Sequence, residues 1–249
     1  MRDESHKEAT NRRNARLVLL AIVLCIFSFK VKAENSDIDI VLFGSLDTGS
    51  SAFANAGFKW APERIDREGF AMLATVGGGA RLEHGPAMQT GFVPTFVRAT
   101  SLASLLGGYQ FFFDWGVVGI FAGPEASFES VMGLAGFGPV ETRIGARLQG
   151  EVWARLSENT LATVTVILGS ARWDTFARVS AGYRVFGAYF GPEAAAYADR
   201  TGYSKWSLGM HATDFSFGDF SFRVSGGCSY ESETRRVGPY VSVATWVSL

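Results

Sequence analysis

Hydrophobic and polar residues alternate most regularly over Glu141–Leu156, which reads ETRIGARLQGEVWARL. One face carries only Thr, Ile, Ala, Leu, Gly and Val, whereas the other carries three arginines, two glutamates, Gly145, Gln149 and Trp153. A period of two residues over this length is typical of a β-strand and not of a helix. Strands of soluble domains mostly have about five or six residues, whereas a tilted strand that crosses a bilayer needs about 9–11. The pattern therefore predicts a barrel wall with an apolar outer face and a polar lumen.

The same alternation recurs along the rest of the chain. It is clearest again over Phe220–Glu231, where one face carries Phe220, Phe222, Val224, Gly226, Cys228 and Tyr230. We count about twelve strands, with ten possible if two weak ones merge, and the irregular residues 85–100 predict a long loop. No stretch has the 3.6-residue period and capping residues of a helix. Since a free strand edge cannot be satisfied in hydrocarbon, the predicted fold is all-β: an antiparallel, closed, outer-membrane-type β-barrel.

The first 33 residues do not follow this pattern. Arg12, Arg13 and Arg16 precede Leu17–Phe29, an apolar run without a charge, and Ala33 ends the segment before Glu34. A basic segment, a short apolar run and a small residue at its end are typical of a secretory signal peptide. The run is shorter than the roughly 20 residues of a spanning helix. We therefore predict a signal peptide over 1–33, a β-barrel domain over 34–249, and location in the outer membrane.

Two segments of the chain repeat a short motif. Gly108–Phe128 and Gly182–Tyr197 both open on Gly-Tyr and both contain Gly-Pro-Glu in mid-strand. Their glutamates, Glu125 and Glu193, fall on the polar phase. Proline lacks the N–H that a strand donates to its neighbour, so we expect a bulge or an interrupted pair at each motif. The repeat predicts two equivalent hairpins in the wall.

Charged and aromatic residues on the polar faces predict the contents of the lumen. The candidates for lumen-facing or ligand-facing positions are Glu125, Arg147, Glu151, Trp153, Arg155, Glu193 and Arg223. One interpretation is that these side chains pair across the barrel and fill it, because buried charge is tolerated only when it is paired. The other is a ligand path in which Trp153 stacks on a sugar ring and the charged groups bind its hydroxyls. Both interpretations stay open at this point.

Composition mainly excludes functions. Residues 34–249 carry 16 basic and 21 acidic side chains, a net charge of −5, which disfavours nucleic-acid binding. Cys228 is the only cysteine of that segment, so an intrachain disulfide is excluded. His84 and His211 are its only histidines, and it has no zinc spacing, phosphate loop or dinucleotide motif. We therefore predict no catalytic residue, no metal and no cofactor.

Aromatic residues near the predicted strand ends suit the girdles that barrels place at membrane interfaces. The residues interpreted in this way are Trp60, Trp115, Trp173, Tyr203, Trp206 and Trp246.

A set of short motifs resembles, in order, the cellulose biosynthesis protein BcsS family. The motifs are FGSLDTGSSAFANAGFKWAP, DREGFAMLATVGG, LLGGYQF, RIGARLQGEVWARL, AGYRV, FGPEAAAYAD, YSKWSLGMHAT, SGGCSYES and VGPYVSV, and they extend from about Phe43 to the end of the chain. The resemblance implies a secreted protein of a Gram-negative bacterium that takes part in making or exporting cellulose. It carries over no site residue.

The main functional hypothesis is a non-enzymatic outer-membrane barrel that assists export or anchoring of the glucan. It implies outer-membrane lipids, the cellulose chain and components of the cellulose synthase complex as partners. Alternatives are a general small-solute channel or adhesion barrel, and a barrel-embedded hydrolase. The hydrolase requires His84 or His211 within about 3 Å of a serine hydroxyl. A soluble periplasmic β-sandwich is the alternative fold, and it requires a polar outer face.

Overall fold

The chain is built from antiparallel strands in the computed structural model, which describes residues 39–85, 91, 93–133, 136–138 and 141–249. The predicted signal peptide, residues 1–33, lies outside the described residues. Within them, no helix is long and apolar enough to cross a membrane. The strands are β1 (Ile40–Thr48), β2 (Ser51–Trp60), β3 (Gly69–His84), β4 (Thr95–Phe113), β5 (Gly116–Gly133), β6 (Gly136–Phe137), β7 (Glu141–Ser157), β8 (Thr160–Gly169), β9 (Asp174–Val185), β10 (Ala188–Ala198), β11 (Ser204–Phe217), β12 (Phe220–Glu231) and β13 (Arg236–Ser248).

Twelve of these strands close into a barrel. Each long strand pairs with the next one along the chain, and β1 pairs with β13 as well as with β2. The strand β6 has two residues and pairs only with the end of β5, so it does not form part of the wall. The prediction of an all-β, closed antiparallel barrel of about twelve strands is therefore confirmed.

The predicted loop over residues 85–100 is partly wrong. The strand β3 continues to His84 and β4 already begins at Thr95, and β3 pairs with β4 along its whole length. The alternation is hard to recognise here because inward positions hold charged residues that bond to each other. Arg98 Nε, for example, donates to Glu83 Oε1 at 2.7 Å.

The two ends of the barrel differ in their connections. The terminal end holds both Asp39 and Leu249, whose backbones are hydrogen-bonded. Its connections 114–115, 158–159, 186–187 and 218–219 have two residues each, and only 61–68 is longer. The opposite end, the loop end, carries the longer connections, such as 170–173 and 199–203. Short turns at one end and longer loops at the other are the arrangement of outer-membrane barrels, which place their longer loops outside the cell.

Side chains alternate between the two surfaces of the wall as predicted. In β7, Ile144 is 81% exposed on the outer surface, whereas Gln149 is buried on the inner one. In β12, Val224 and Tyr230 are exposed outside, whereas Arg223 is buried inside. Exposed large apolar side chains occur on the outer surface of every long strand from β2 to β13. The outer surface is therefore apolar all round, which is unlike the solvated face of a soluble β-sandwich.

Aromatic side chains are concentrated near the terminal end of the outer surface. There the rings of Phe70, Tyr109, Phe111, Phe113 and Trp115 follow one another with centroid separations of 4.8–6.5 Å. Other outward aromatic residues that the sequence assigned to girdles are also exposed: Trp60, Trp173 and Trp206. Aromatic side chains with this outward placement suit a membrane interface.

The girdle interpretation is wrong for Tyr203 and Trp246, which point into the lumen. Tyr203 is only 6% exposed and lies in a connection, where strand alternation gives no orientation. Trp246 pairs with Phe43, which lines the lumen, and directly paired residues share one face of a sheet.

The two Gly-Pro-Glu motifs occupy equivalent places in the wall. The pairing of β4 with β5 is interrupted opposite Gly123 and Pro124, and that of β9 with β10 is interrupted at the second motif. In both cases the register is the same on either side of the interruption. A Cβ at Gly123 or Gly191 would clash with a carbonyl oxygen of the neighbouring strand, so glycine allows the close approach. The predicted interruption is confirmed, and both motifs lie in hairpins that turn at the terminal end.

Candidate functional site

Apolar side chains fill the part of the lumen that lies nearest the terminal end. Six buried residues form this terminal plug: Ala61, Ile65, Ala71, Leu73, Leu106 and Phe121. The connection between β2 and β3 supplies Ala61 and Ile65, and Gln110 Nε2 donates to the Ile65 carbonyl at 3.3 Å. Burial of a side chain as large as Ile65 stabilises by roughly 1.5–3 kcal/mol. Ile65 therefore anchors the connection to the inside of the barrel, although most of the residues of the connection are charged and exposed.

Two contacts cross the lumen beside the terminal plug. Lys59 Nζ of β2 donates to Glu151 Oε2 of β7 at 2.6 Å, and it also lies 5.0 Å from the ring centre of Phe121. The rings of Trp153 in β7 and Trp246 in β13 meet edge to face at 5.7 Å. Neither pair of strands is adjacent in the wall, so these side chains bridge it from inside.

The repeated motifs place two carboxylates in the middle of the lumen. Glu125 accepts hydrogen bonds from Arg147 Nη1 at 3.2 Å and from the backbone N–H of Ala171 at 2.8 Å. Glu193 accepts a hydrogen bond from Arg223 Nη2. Both glutamate side chains are only 1% exposed. Removing one partner of such a pair leaves an uncompensated buried charge, which costs about 3–5 kcal/mol.

A further arginine links the second carboxylate to the opposite wall. Arg178 Nη2 of β9 donates to Asp47 Oδ1 of β1 at 3.2 Å, and its Nε lies 3.9 Å from Glu193 Oε1. Arg223 also donates from Nη1 to Thr163 Oγ1 at 3.2 Å. The middle of the lumen is thus tied together by contacts between strands that are far apart in the wall.

Ion pairs form a loop-end network near the other opening. Its members come from three strands and two connections: Arg81, Glu83, Arg98, Glu129, Arg172 and Asp199. Asp199 Oδ2 accepts from Arg81 Nη1 at 2.8 Å and from Arg172 Nη2 at 3.0 Å. Arg172 Nε lies 2.8 Å from Glu129 Oε1. The network therefore ties the connections 170–173 and 199–203 to the inner wall of β3 to β5.

Asp199 is the centre of the loop-end network. Burial alone would raise the pKa of its carboxyl group, but hydrogen bonds from the Thr201 hydroxyl and the Arg81 guanidinium outweigh that effect, so the pKa lies below its ordinary value. The side chain of Asp199 has no exposed surface. The ionised carboxylate is therefore the form that the fold requires.

A cavity of about 350 Å³ lies inside the barrel. Aromatic side chains contribute to its lining, among them Phe43, Phe53, Phe176 and Tyr240, and polar residues form much of the rest. It extends to Thr48 and Ser51, on either side of the β1–β2 turn at the loop end. The lumen thus contains a pocket in addition to the terminal plug and the ion pairs.

The seven candidates from the sequence fall into three places. Glu125, Arg147, Glu193 and Arg223 form the mid-lumen ion pairs, whereas Glu151 and Trp153 make the contacts beside the terminal plug. Arg155 is exposed, and its backbone N–H donates to the Trp115 carbonyl at the terminal end. Of the seven, Arg147 and Glu193 line the cavity. A ligand role for these residues stays a prediction.

Several residues of the lumen were missed from the sequence. Glu129 follows the inward residues Glu125 and Ser127 of β5 at the same two-residue period, so the alternation could have identified it. Arg172, Asp199 and Ile65 lie in connections, where the strand period gives no orientation. The charged surroundings of Ile65 at 63–68 also hide an inward apolar residue.

Neither histidine is placed as the hydrolase hypothesis requires. His211 Nδ1 lies 2.7 Å from Thr213 Oγ1 on the same strand, and the ring is buried. The backbone N–H of His84 donates to Glu233. Among the residues that the structure describes, no hydrogen bond joins either imidazole to a serine hydroxyl, and no group of three or more His, Cys, Asp and Glu could hold a metal ion.

Comparison with known proteins gives a family and similar solved structures. The chain is similar to the KdgM porin, with 9% identity and a TM-score of 0.45 over 84% of this chain and 99% of that one. It is also similar to the translocator domain of the autotransporter NalP from Neisseria meningitidis, with 11% identity and a TM-score of 0.47 over 96% and 98% of the two chains. No curated protein sequence matches. The family model described as cellulose biosynthesis protein BcsS matches residues 41–249.

The first prediction concerns the terminal plug. The substitution Ile65→Asp places an unpaired carboxylate among apolar side chains, which costs several kcal/mol, so the connection should leave the lumen. We expect the purified barrel to show higher single-channel conductance in planar bilayers. Glu63→Gln, on an exposed residue of the same connection, is the control and should leave conductance unchanged. Equal conductance of both folded variants would contradict a blocking role for the plug.

The second prediction concerns pH and the loop-end network. Since the pKa of Asp199 is lowered in the folded state, its contribution is complete above the ordinary carboxyl pKa of about 4 and is lost as pH falls through the folded value. Asp199→Asn should lower the free energy of unfolding at pH 7 by about 3–5 kcal/mol. The difference from the unsubstituted protein should shrink below about pH 4. Urea titrations followed by tryptophan fluorescence measure it, with the exposed Asp219→Asn as control. A difference that does not change with pH would refute the assignment.

Proposed function

Because the chain belongs to the cellulose biosynthesis protein BcsS family, we propose that it is a non-enzymatic accessory protein of that process, located in the outer membrane. The observation that carries the location is the continuous apolar outer surface. Leu208 and Val237 are both 69% exposed there, and Phe70 is 72% exposed. A closed barrel with exposed apolar side chains all round is suited to lipid, because every strand already has its hydrogen-bonding partners.

Between export and anchoring of the glucan, the contents of the lumen favour anchoring. The terminal plug, the Lys59–Glu151 contact and the loop-end network all occupy the space that a polysaccharide would need for passage. The connections at the loop end are longer than most turns at the terminal end. In outer-membrane barrels the end with the longer loops is the extracellular one. The protein would then hold the glucan, or the synthase components that deliver it, at the cell surface.

A second candidate is a small-solute channel or an adhesion barrel. The observation that favours it is the cavity, which extends to the turn between β1 and β2 at the loop end. The terminal plug opposes free diffusion in the described state. A liposome swelling assay separates these possibilities, since a channel gives solute entry at a rate that depends on solute size, whereas an anchor gives none.

The third prediction tests the membrane location through two matched outer residues. Met210, which is 60% exposed, lies in the middle of β11, whereas Val237 lies at the loop end of β13. An arginine on the outer face costs about 2–4 kcal/mol at the bilayer midplane and about 0–1 near the interface. Met210→Arg should therefore destabilise the protein in liposomes far more than Val237→Arg. Equal effects, or a soluble protein in the periplasmic fraction, would refute the outer-membrane location.

The fourth prediction tests the cellulose role. In a deletion strain, an anchoring role predicts that cellulose is still made but is released into the medium. An export role predicts less cellulose in both the surface and medium fractions. Cellulase-sensitive glucose in the two fractions measures the difference, and re-expression of the unsubstituted gene is the control. Unchanged amounts in both fractions would contradict the accessory role altogether.

A further inference from the structure

The cavity in the lumen has an unequal charge lining. Six of its lining residues are basic: Arg81, Arg98, Arg147, Arg172, Arg178 and Lys205. Only three are acidic, namely Asp47, Asp174 and Glu193. Residues 34–249 as a whole are acidic, with a net charge of −5. The excess of cations is therefore a local property of this cavity.

The ion pairs are layered, which explains the unequal lining. Glu125, Glu129, Asp199 and Glu231 lie behind their cationic partners, with side chains at most 3% exposed. Their partners Arg147, Arg172, Arg81 and Lys205 line the cavity, and Arg147 and Lys205 are 14% and 17% exposed. Each of these four pairs is thus a dipole with its positive end toward the cavity, whereas Asp47 and Glu193 line it themselves. Oriented charges around a low-dielectric cleft concentrate ions of the opposite sign.

Several polar atoms of the lining have no hydrogen-bonding partner among the described residues. They include donors on two cations, Arg147 Nε and Arg178 Nε, and the hydroxyl of Tyr240, which is itself 7% exposed. Asp174 Oδ1 is an acceptor that likewise has no hydrogen-bonding partner among the described residues. Buried polar groups of this kind are usually satisfied by water or by a ligand. Because these atoms are themselves buried, they make the wall beneath the cavity polar, and the hydrogen bonds open to a ligand come from the partly exposed Arg147, Arg178 and Lys205.

We propose that this cavity binds an acidic saccharide of one or two sugar rings, with its acid group on one of Arg147 and Arg178 and its hydroxyls on the other. The anionic character of the ligand follows from the lining, and its saccharide character rests on the proposed function. The volume of about 350 Å³ lies at the small end of the roughly 300–1,000 Å³ of small-molecule pockets, which suits a short ligand better than a polymer. Phe43 and Phe176 supply apolar ring faces on the same lining.

Specificity for the acid group would come from the guanidinium groups. Arg178 uses Nη2 for Asp47 and Arg147 uses Nη1 for Glu125, so the other terminal nitrogen of each guanidinium is left for a ligand. Hydrogen bonds between ionised partners are stronger than neutral ones. A neutral sugar of the same size would leave these donors unpaired and should bind more weakly.

The fifth prediction is measured by isothermal titration calorimetry on the full barrel in detergent. The probes are cellobiouronic acid, its neutral counterpart cellobiose, and inorganic phosphate. We expect cellobiouronic acid to bind at least about tenfold more tightly than cellobiose, because it alone forms charge-assisted hydrogen bonds. Binding should weaken as salt is raised, since the attraction is screened.

Matched arginine variants locate the site. Arg178→Gln and Arg147→Gln should each weaken binding of cellobiouronic acid by about tenfold, as loss of one hydrogen bond to a charged group does. The control is Arg184→Gln on the same strand and face as Arg178, because Arg184 does not line the cavity. The shift of the band on boiling in an SDS gel shows that each variant has folded. Two separate variants keep the test valid if one of them fails to fold.

Four outcomes would overturn the proposal. Equal affinity for cellobiose and cellobiouronic acid would refute recognition of the acid group. Phosphate that binds as tightly as the acidic disaccharide would show an adventitious ion only. Equal effects of Arg184→Gln and Arg178→Gln would place the site elsewhere. Failure to bind any probe, with cellulose still released from the deletion strain, would refute this site and leave the accessory role intact.

Discussion

The structure depends on the closure of one ring of backbone hydrogen bonds. Because β1 pairs with β13, each of the twelve long strands has a partner on both sides. No strand edge is left for water or another chain to satisfy, and such a wall is stable in hydrocarbon. Closure also fixes two surfaces, because successive side chains must point alternately out of the barrel and into it. The composition of both surfaces follows from that constraint.

Closure of the barrel buries charged side chains on its inner surface. Arginine and glutamate side chains that face inward are removed from bulk water, and each must find an opposite partner within reach. Arg223 with Glu193 and Arg147 with Glu125 satisfy this requirement in the middle of the lumen. The resulting pairs join distant parts of the wall and fix their own orientation. The same pairing that makes the lumen stable therefore also decides which charge faces its cavity.

The outer and inner surfaces of the barrel have different roles. The outer surface is apolar, as lipid contact requires, and it is not specific, because almost any large apolar residue can contact lipid. The inner surface is specific, because a change of one charged residue leaves its partner unpaired. Strand pairing is interrupted at Gly123 and at Gly191, and in both places an inward glutamate follows two residues later. Recognition of a ligand therefore has to come from the inside of the barrel or from its loop end.

The sequence by itself determined the strands, their two faces and the closed barrel. The alternation over β7 and β12 is long enough to place Ile144 outside and Arg223 inside, because the two-residue period leaves no other choice. It also identified Glu125 and Glu193 as equivalent inward positions. Only the tertiary structure decided how the lumen is filled. Ile65, Arg172 and Asp199 lie in connections without a period, and the contact between Trp153 and Trp246 joins strands far apart along the chain. Local pattern fixes the direction of a side chain, whereas its partner across the barrel depends on how all twelve strands are arranged around the lumen.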